Sequence, residues 1–247
     1  STGLTVDANQ WQHLAAVFDP DNGVTLYKNG VRSSYLPATV DSGVTTDTIN
    51  IGARLHDPGP GDPSVFFNFF EGRIDEFRVW DRPLSEQVIR SRMTLPLVGD
   101  EGGLLGLYSF DEIVMTEVGR EFITDDSRFQ QDAELLDGLD RPHFPADGVA
   151  APLRRDGGQS LRFDGIDDVV TTSLQLDQSF GPGGVTFEVW VRPAAGAAGE
   201  ELAVRRRRLD AGHELGRESA PGVPVLRIGR ARAGPGYDGE ARKAGEP

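Results

Sequence analysis

The fold is decided by residues 11–30, which read WQHLAAVFDPDNGVTLYKNG. The run from Trp11 to Phe18 is mostly apolar, and the turn-forming residues from Asp19 to Gly23 end it. A second run follows and stops at Asn29-Gly30, a pair that tolerates positive φ and is the strongest short-range signal of a β-hairpin. The segment therefore predicts consecutive antiparallel strands.

The same pattern of short strands separated by turns extends over most of the 247 residues. The chain has 31 glycines and 16 prolines and few long amphipathic helical patterns, which favours many short strands. A short helix is expected after Pro83. Further strand patterns lie at 48–52, 72–81, 103–110, 133–136, 160–163, 169–172 and 185–191. The sequence predicts an all-β protein built as an antiparallel β-sandwich.

Charge and cysteine content exclude several classes of function. The formal net charge of -14 argues against nucleic-acid binding, because that affinity comes mainly from cationic neutralisation of phosphates. With no cysteine, the chain has no disulfide, no thiolate metal site and no cysteine nucleophile. No apolar run of membrane-spanning length is present, so we expect no membrane insertion. The first residue, Ser1, fits a fragment or a processed chain better than a complete gene product.

The sequence changes character near its C-terminal end. Four consecutive arginines stand at Arg205–Arg208, and the remainder is rich in Arg, Gly, Pro, Ala and Glu without sustained alternation. Such a composition buries too little apolar surface to offset the entropy of ordering. We therefore expect residues 194–247 to form a disordered or out-of-frame tail, with a native basic linker as the open alternative.

Two groups of motifs resemble halves of one known module. The first looks like the C-terminal half of a laminin-G-like, concanavalin A-like jelly roll and comprises WQHLAAVFD at 11–19, LYKNG at 26–30, INIG at 49–52 and FEGRIDEFRVWDRPLS at 70–85. The second resembles the N-terminal half and comprises GLYSFD at 106–111, Asp126-Ser127, SLRFDGIDDVV at 160–170 and FEVWVRP at 187–193. The reversed order of the halves indicates a cut through neighbouring modules of a tandem array.

The resemblance implies where the chain divides. Residues 1–92 would be the C-terminal half of one module, 93–103 a linker and 104–193 the N-terminal half of the next, giving an incomplete or permuted jelly roll. In the resembled fold the first and last strands of a module lie close together, so the two halves could pair as one composite sandwich. We then expect Gly106–Phe110 beside Ile74–Trp80, and the rival is two half-folded domains with few contacts.

The loop Asp164-Gly165-Ile166-Asp167-Asp168 is the candidate metal site. Carboxylates around a glycine turn suit Ca²⁺, and the resemblance implies a structural calcium in such loops. Calcium is bound in proteins by roughly six to eight oxygens, and one loop rarely supplies that many. We therefore expect Asp75 to lie near the loop as a second contributor, with Asp126 as a third. The alternative is a solvated acidic turn, since Asp and Gly are ordinary turn formers.

No catalytic constellation is present, although the resembled fold also hosts glucanases. Their signature resembles Glu-x-Asp-x-x-Glu, and neither the run around Glu76 nor the run around Glu188 matches it. Glu76 and Arg78 are interpreted as outward-facing residues of one strand, and Glu188 and Arg192 as outward-facing residues of another, so that opposite-charge surface pairs can form across the strands. His13 lies in an apolar strand and is interpreted as a structural imidazole. We expect a protein that is not an enzyme.

Aromatic residues supply the candidate ligand site. Phe66, Phe67 and Phe69 occupy both faces of an extended segment, so some of these rings should be exposed, and Tyr35 joins the same pool. The resemblance implies a non-catalytic binding module of a larger secreted or cell-surface protein, with a carbohydrate or glycoconjugate as ligand. Its partners would be a glycan or an extracellular protein, and neighbouring laminin-G-like modules of the parent chain. The alternative is a structural spacer or a protein-interaction domain in adhesion, without sugar affinity.

Overall fold

The computed structural model describes residues 2–37, 48–56, 65–136, 151–153, 158–175, 183–195, 200–206 and 224–230. The described part of the first 92 residues forms β1 (Thr2–Thr5), β2 (Gln12–Asp19), β3 (Gly23–Lys28), β4 (Val31–Leu36), β5 (Thr48–Ile51), β6 (Arg54–His56), β7 (Val65–Phe67), β8 (Glu71–Trp80) and α1 (Glu86–Arg92). The chain continues with β9 (Leu104–Tyr108), β10 (Ile113–Met115), β11 (Glu121–Ile123), β12 (Ala133–Leu136), β13 (Leu161–Asp164), β14 (Val169–Gln175), β15 (Val185–Pro193), β16 (Glu200–Arg206) and β17 (Pro224–Arg230).

Two antiparallel sheets form the body of the fold. The larger has seven strands in the order β13-β8-β15-β2-β3-β4, with β9 also paired to β8. The smaller has five strands in the order β10-β11-β12-β14-β5. The hairpin predicted from residues 11–30 is present as β2 and β3, with Leu14 opposite Lys28 in the ladder. The prediction of an all-β, antiparallel sandwich is confirmed.

The two halves of the chain share both sheets. Strand β8 pairs with β9, so that Phe77 lies opposite Tyr108 and Val79 opposite Gly106, as predicted. Strand β15 lies between β2 and β8 and pairs with both. In the smaller sheet, β5 pairs with β14. The rival architecture of two half-folded domains with few contacts is therefore wrong.

One hydrophobic core lies between the sheets and draws on both halves. Leu26, Val79 and Ile74 from the first half are buried together with Leu161 and Val170 from the second. Burying one such side chain contributes about 1.5–3 kcal/mol relative to leaving it exposed. Because neither half holds the whole core, neither buries its apolar sheet faces without the other.

The opposite face of the seven-stranded sheet is also covered, and we call it the outer face. Helix α1 begins where the Ser85 side chain accepts a hydrogen bond from the amide of Val88, close to the helix predicted after Pro83. Ile89 of the helix packs into a second cluster with Ala15, Val17, Tyr27, Trp80, Leu84, Leu104 and Leu107. Residues 93–97, expected to be only a linker, continue over this face, as described below.

The C-terminal tail contains two strands that were not expected. Strand β16 pairs with β1, placing Leu202 opposite Leu4, and β17 pairs with β16. The sequence predicted a disordered or out-of-frame tail, whereas these two segments are extended strands, in which ELAV at 201–204 and VLRI at 225–228 carry short apolar patterns that the Arg-rich composition concealed. Residues 196–199, 207–223 and 231–247 lie outside the described part of the chain, and for them the prediction stays a prediction. No helix in the described part of the chain is long and apolar enough to cross a membrane.

Candidate functional site

The acidic loop after β13 brings three carboxylates together. One oxygen each from Asp164, Asp167 and Asp168 lies within 4.8 Å of the others. The turn is fixed by its own side chains, because Asp164 accepts from the amide of Ile166 at 2.7 Å and Asp168 accepts from the amide of Asp164 at 2.6 Å. Gly165 adopts a φ of 84°, which a glycine takes without the steric cost of a Cβ. Hydrogen bonds within the loop therefore hold the three carboxylates close together.

Two oxygens of this group are buried without a partner among the described residues. They are the Oδ1 atoms of Asp167 and Asp168, and the Asp168 side chain is only 2% exposed. Burial, with the neighbouring Asp164 and Asp167 charges, raises the pKa of Asp168 to about 6. An unpaired buried carboxylate oxygen is costly, and a bound cation would supply the missing partner. The residues present therefore fit a Ca²⁺ ion.

Asp75 and Asp126 lie away from this group of oxygens. Asp164 faces Glu71 on β8, and Asp75 stands four residues further along that strand, roughly 13 Å away at the rise of a strand. Asp75 accepts a hydrogen bond from the amide of Ala151 at 2.8 Å. Asp126 is exposed and accepts from the Ser109 hydroxyl at 2.6 Å. The expectation that Asp75 lies beside the loop is wrong, because the register of β13 against β8 places the loop at the start of β8.

The predicted aromatic residues lie on two different sheets and in the segment after β7. Tyr35 lies on β4 with 46% of its surface exposed, and its hydroxyl donates to the carbonyl of Asn22 at 2.5 Å. Phe66 lies on β7, which pairs with β6 in a separate two-stranded sheet. Phe66 and Phe69 are half-buried, and the side chain of Phe67 lies outside the described part. Among the three of these rings whose side chains the structure describes, Tyr35 is the one that is both exposed and held by a hydrogen bond.

A buried polar group on the outer face was not predicted. Nε2 of His13 lies 3.4 Å from Oε1 of Glu188, and the other oxygen of Glu188 accepts from the indole of Trp80 at 2.7 Å. Burial, assisted by Arg78, lowers the pKa of His13 to about 3, whereas burial raises the pKa of Glu188 against the opposing effect of Arg78. Both groups are therefore held towards their neutral forms.

Arg78 joins the strand to the segment that covers it. Its guanidinium pairs with Glu76 at 2.8 Å and donates to the carbonyls of Arg92 at 3.2 Å and Leu95 at 2.9 Å. The indole of Trp190 donates to the carbonyl of Met93 at 2.8 Å. These contacts fasten residues 92–95 onto the outer face.

The interpretation of Glu76 and Glu188 as members of surface pairs is wrong. At most 2% of the surface is exposed for each of Glu76, Glu188 and Arg78. The alternation of polar and apolar residues predicted that this face of the strands is exposed to solvent, but α1 and the segment after it cover the face. Glu76 also has a φ of 52° at a register shift of β8 against β15, a bulge that changes the phase of the strand. Neither carboxylate is accessible to a substrate in this structure.

The His13 contact predicts how stability depends on pH. The unfolded imidazole takes up a proton near its ordinary pKa, whereas the folded one does so only near pH 3, so lowering the pH from about 6.5 towards 3 should destabilise the fold. The slope should approach about 1.4 kcal/mol per pH unit. Urea unfolding of the wild type and His13→Gln at pH 7, 5 and 4 measures it.

The difference between these two proteins isolates the imidazole. Glu188 is present in both, and its raised pKa acts with the opposite sign, since that contribution is lost as the pH rises. The stability advantage of the wild type over His13→Gln should shrink as the pH falls. A difference that stays constant between pH 7 and pH 4 would contradict the buried, neutral imidazole.

Comparison with known proteins identifies the fold family over the first part of the chain. Residues 1–90 match the family model of the concanavalin A-like lectin/glucanases superfamily that represents laminin-G-like domains. The predicted resemblance to a laminin-G-like jelly roll is confirmed over that segment. No curated protein and no solved structure matches the chain significantly.

Proposed function

We propose that this laminin-G-like sandwich is a non-catalytic, glycan-binding module of a larger secreted or cell-surface protein. The observation that carries the proposal is the ring of Tyr35, which is 46% exposed and held by its hydroxyl. A fixed aromatic ring can stack on a sugar without a large entropic cost of ordering. Membership of residues 1–90 in a superfamily of lectins and glucanases supports a carbohydrate as the ligand.

Burial of the acidic pair supports a binding role rather than hydrolysis. A glycosidase needs two carboxyl groups that flank the bond of a bound sugar. Glu188 and Glu76 are buried beneath α1 and residues 93–97, where Arg78 and Trp80 already occupy their oxygens. A sugar could reach them only if this cover were removed, so these carboxylates serve the fold.

Glycan binding is tested on the full chain, first with a glycan array and then by calorimetry with the best sugar. Tyr35→Ala should abolish or strongly weaken binding. Phe129→Ala is the matched control, because Phe129 is 41% exposed and lies in the turn before β12, away from β4. No binding to any glycan, or equal binding by the two variants, would contradict the proposal and favour a spacer role.

We also propose that the acidic loop binds a structural Ca²⁺ through Asp164, Asp167 and Asp168. Millimolar Ca²⁺ should raise the melting temperature of the wild type, since a ligand at one hundred times its Kd stabilises by about 2.7 kcal/mol. Asp168→Asn should remove the response, while its amide oxygen can still accept from the amide of Asp164. Differential scanning fluorimetry in Ca²⁺ and in EDTA measures both proteins.

Asp126→Asn is the control for the calcium site. It removes the same charge from an exposed residue outside the group, so it should respond to Ca²⁺ as the wild type does. In EDTA, Asp168→Asn should be at least as stable as the wild type, because it removes a buried carboxylate that lacks a full set of partners. A wild type whose melting temperature is the same in Ca²⁺ and EDTA would rule the site out.

A further inference from the structure

Three arginines stand side by side across neighbouring strands of the seven-stranded sheet. Arg162 on β13 lies opposite Arg73 on β8, and Arg192 on β15 lies opposite the same Arg73 from the other side. Residues opposite each other in an antiparallel ladder project from the same face. Because Ile74, the neighbour of Arg73, points into the core, the three guanidinium groups belong to the outer face. We call these residues the arginine row.

The arginine row concentrates positive charge on one part of the sheet. Strands lie about 4.7–4.9 Å apart, so three cationic side chains begin within roughly 10 Å of one another. The row occurs in a chain whose formal net charge is -14, so an overall excess of basic residues does not account for it. An anion bound at the row would be attracted by all three side chains.

The row borders a concave surface. A cavity of about 240 Å³ is lined by the arginine row together with Asn9, Glu71 and Pro193. Its size suits one anionic group and part of the sugar that carries it, rather than a long stretch of polymer. Helix α1 and residues 93–97, which cover the outer face around Arg78 and Trp190, do not line it.

Two arginines of the row have donors available for a ligand. Nε of Arg192 donates to the carbonyl of Asn9 at 3.2 Å, which orients this guanidinium while its Nη atoms have no hydrogen bond to the described residues. Arg162 is exposed and forms no ion pair with any described residue. A guanidinium binds a carboxylate or sulfate through two parallel hydrogen bonds. Arg162 and Arg192 therefore present bidentate donors at the rim of the cavity.

Glu71 makes the site selective. Its side chain is exposed and lines the same cavity, so a continuous polyanion would meet a carboxylate beside the arginines. A sugar that carries one anionic group can instead place its hydroxyls against Glu71 as donors. The combination matches an acidic polysaccharide better than a nucleic acid.

We propose that the arginine row binds the carboxylate or sulfate group of an acidic polysaccharide. This inference rests on the proposed glycan-binding function and assigns it a second subsite, on the outer face. The shared chemistry is a singly charged oxyanion on a sugar ring. Carboxylate and sulfate sources are separated by the choice of polymer in the test.

The test measures binding of the full chain to alginate, which carries one carboxylate per sugar, and to kappa-carrageenan, whose charged sugars each carry one sulfate. Neutral dextran and a single-stranded oligonucleotide serve as comparison ligands. Arg162→Gln and Arg192→Gln should each weaken binding of the preferred acidic polymer by about tenfold or more, given the strength of charge-assisted hydrogen bonds. Arg128→Gln, an exposed arginine in the turn before β12, is the control with the same change of charge.

Several outcomes would overturn the inference. They are weakening by Arg128→Gln equal to that by Arg162→Gln, equally tight binding of the oligonucleotide, and no binding of either acidic polymer. Because Arg162 is exposed and forms no ion pair with the described residues, Arg162→Gln should melt at the same temperature as the wild type, which separates lost binding from lost folding.

The outcome for neutral glycans separates this inference from the proposed function. If neutral glycans bind through Tyr35 and the acidic polymers do not bind, the arginine site is wrong and the glycan-binding module stands. If acidic polymers bind and Arg162→Gln weakens them while Tyr35→Ala does not, the arginine site stands independently of the aromatic site.

Discussion

Replacing Arg78 by methionine should lower the free energy of unfolding by about 3–5 kcal/mol, the usual result of breaking a buried ion pair from one side. Arg78 is fully buried, and methionine keeps most of its aliphatic volume without its charge. The change leaves the Glu76 carboxylate in the interior without its cationic partner. It also removes the donors to the carbonyls of Arg92 and Leu95, so residues 92–95 should detach more readily.

A second substitution separates the charge effect from the loss of packing. Glu76→Gln in the Arg78→Met background removes the stranded charge and keeps the backbone preference at the bulge, so it should recover a large part of the lost stability. Arg120→Met is the surface control, because Arg120 pairs with Glu134 on an exposed face and should cost less than about 1 kcal/mol. Chemical denaturation measures the free energy of unfolding of the wild type, Arg78→Met, the double variant and Arg120→Met. A double variant no more stable than Arg78→Met would contradict the buried ion pair.

Replacing Phe187 by alanine should destabilise the fold by about 3–5 kcal/mol, the range for removing a buried aromatic side chain. Phe187 on β15 packs edge-on against Phe18 of β2, with ring centroids 5.8 Å apart. It also stacks on Phe77 of β8 at 6.3 Å. Both partners come from the first half of the chain, so a change in the second half should loosen the first.

Unfolding followed by two probes checks this coupling. Tryptophan fluorescence and far-ultraviolet circular dichroism should give coincident transitions in the wild type and in Phe187→Ala, with only the midpoint lowered. Phe129→Ala, in which the removed ring is 41% exposed, should shift the midpoint little. Two separated transitions in the wild type, one for each half, would contradict a shared core.

Local patterns in the sequence were sufficient for β2, β3, β5, β8, β9, the strands from β12 to β15 and the helix, and for the clustering of the acidic loop. The pair Asn29-Gly30 predicted the turn after β3, and the structure gives both residues positive φ, 51° and 72°. The carboxylates from Asp164 to Asp168 are near each other in the chain, so their clustering needed no knowledge of the tertiary fold. The family resemblance predicted the pairing of β8 with β9, which propensity alone would not have indicated.

Features that depend on packing between distant segments were missed. The alternation around Glu188 correctly predicted which face of β15 it occupies, but period-two alternation carries no information about what covers that face. The cover is α1 and residues 93–97, which the sequence indicated only as a helix and a linker. The environment of the His13 and Glu188 pair follows from that cover.

The remaining differences between the sequence-based predictions and the structure depend on how the strands align with one another. The arginine row joins residues 73, 162 and 192, which become neighbours only once three strands are aligned. Burial near β11 could not be read from the sequence either. Asp126, the third candidate for the metal site, is exposed, whereas its neighbour Asp125 is buried and accepts hydrogen bonds from the amides of Leu107, Ser127 and Gln131.

The central claim is that the two halves of the chain form one sheet, and an engineered disulfide tests it most directly. The chain has no cysteine and two methionines, Met93 and Met115, so cyanogen bromide separates residues 1–93 from 116–247. Arg73→Cys with Arg162→Cys places two thiols on paired residues, whose Cα atoms are about 4.5–5.5 Å apart in an antiparallel ladder, within disulfide reach. Arg32→Cys with Arg162→Cys is the control, since Arg32 lies on β4 and Arg162 on β13, at opposite edges of the same sheet, five strand spacings or roughly 24 Å apart.

After mild oxidation, each monomer is isolated, denatured and cleaved without reducing agent. The composite sandwich predicts that residues 1–93 stay joined to 116–247 in the Arg73 and Arg162 pair and separate when the disulfide is reduced. Release of 1–93 without reduction from that pair, or equal crosslinking in the control pair, would contradict it.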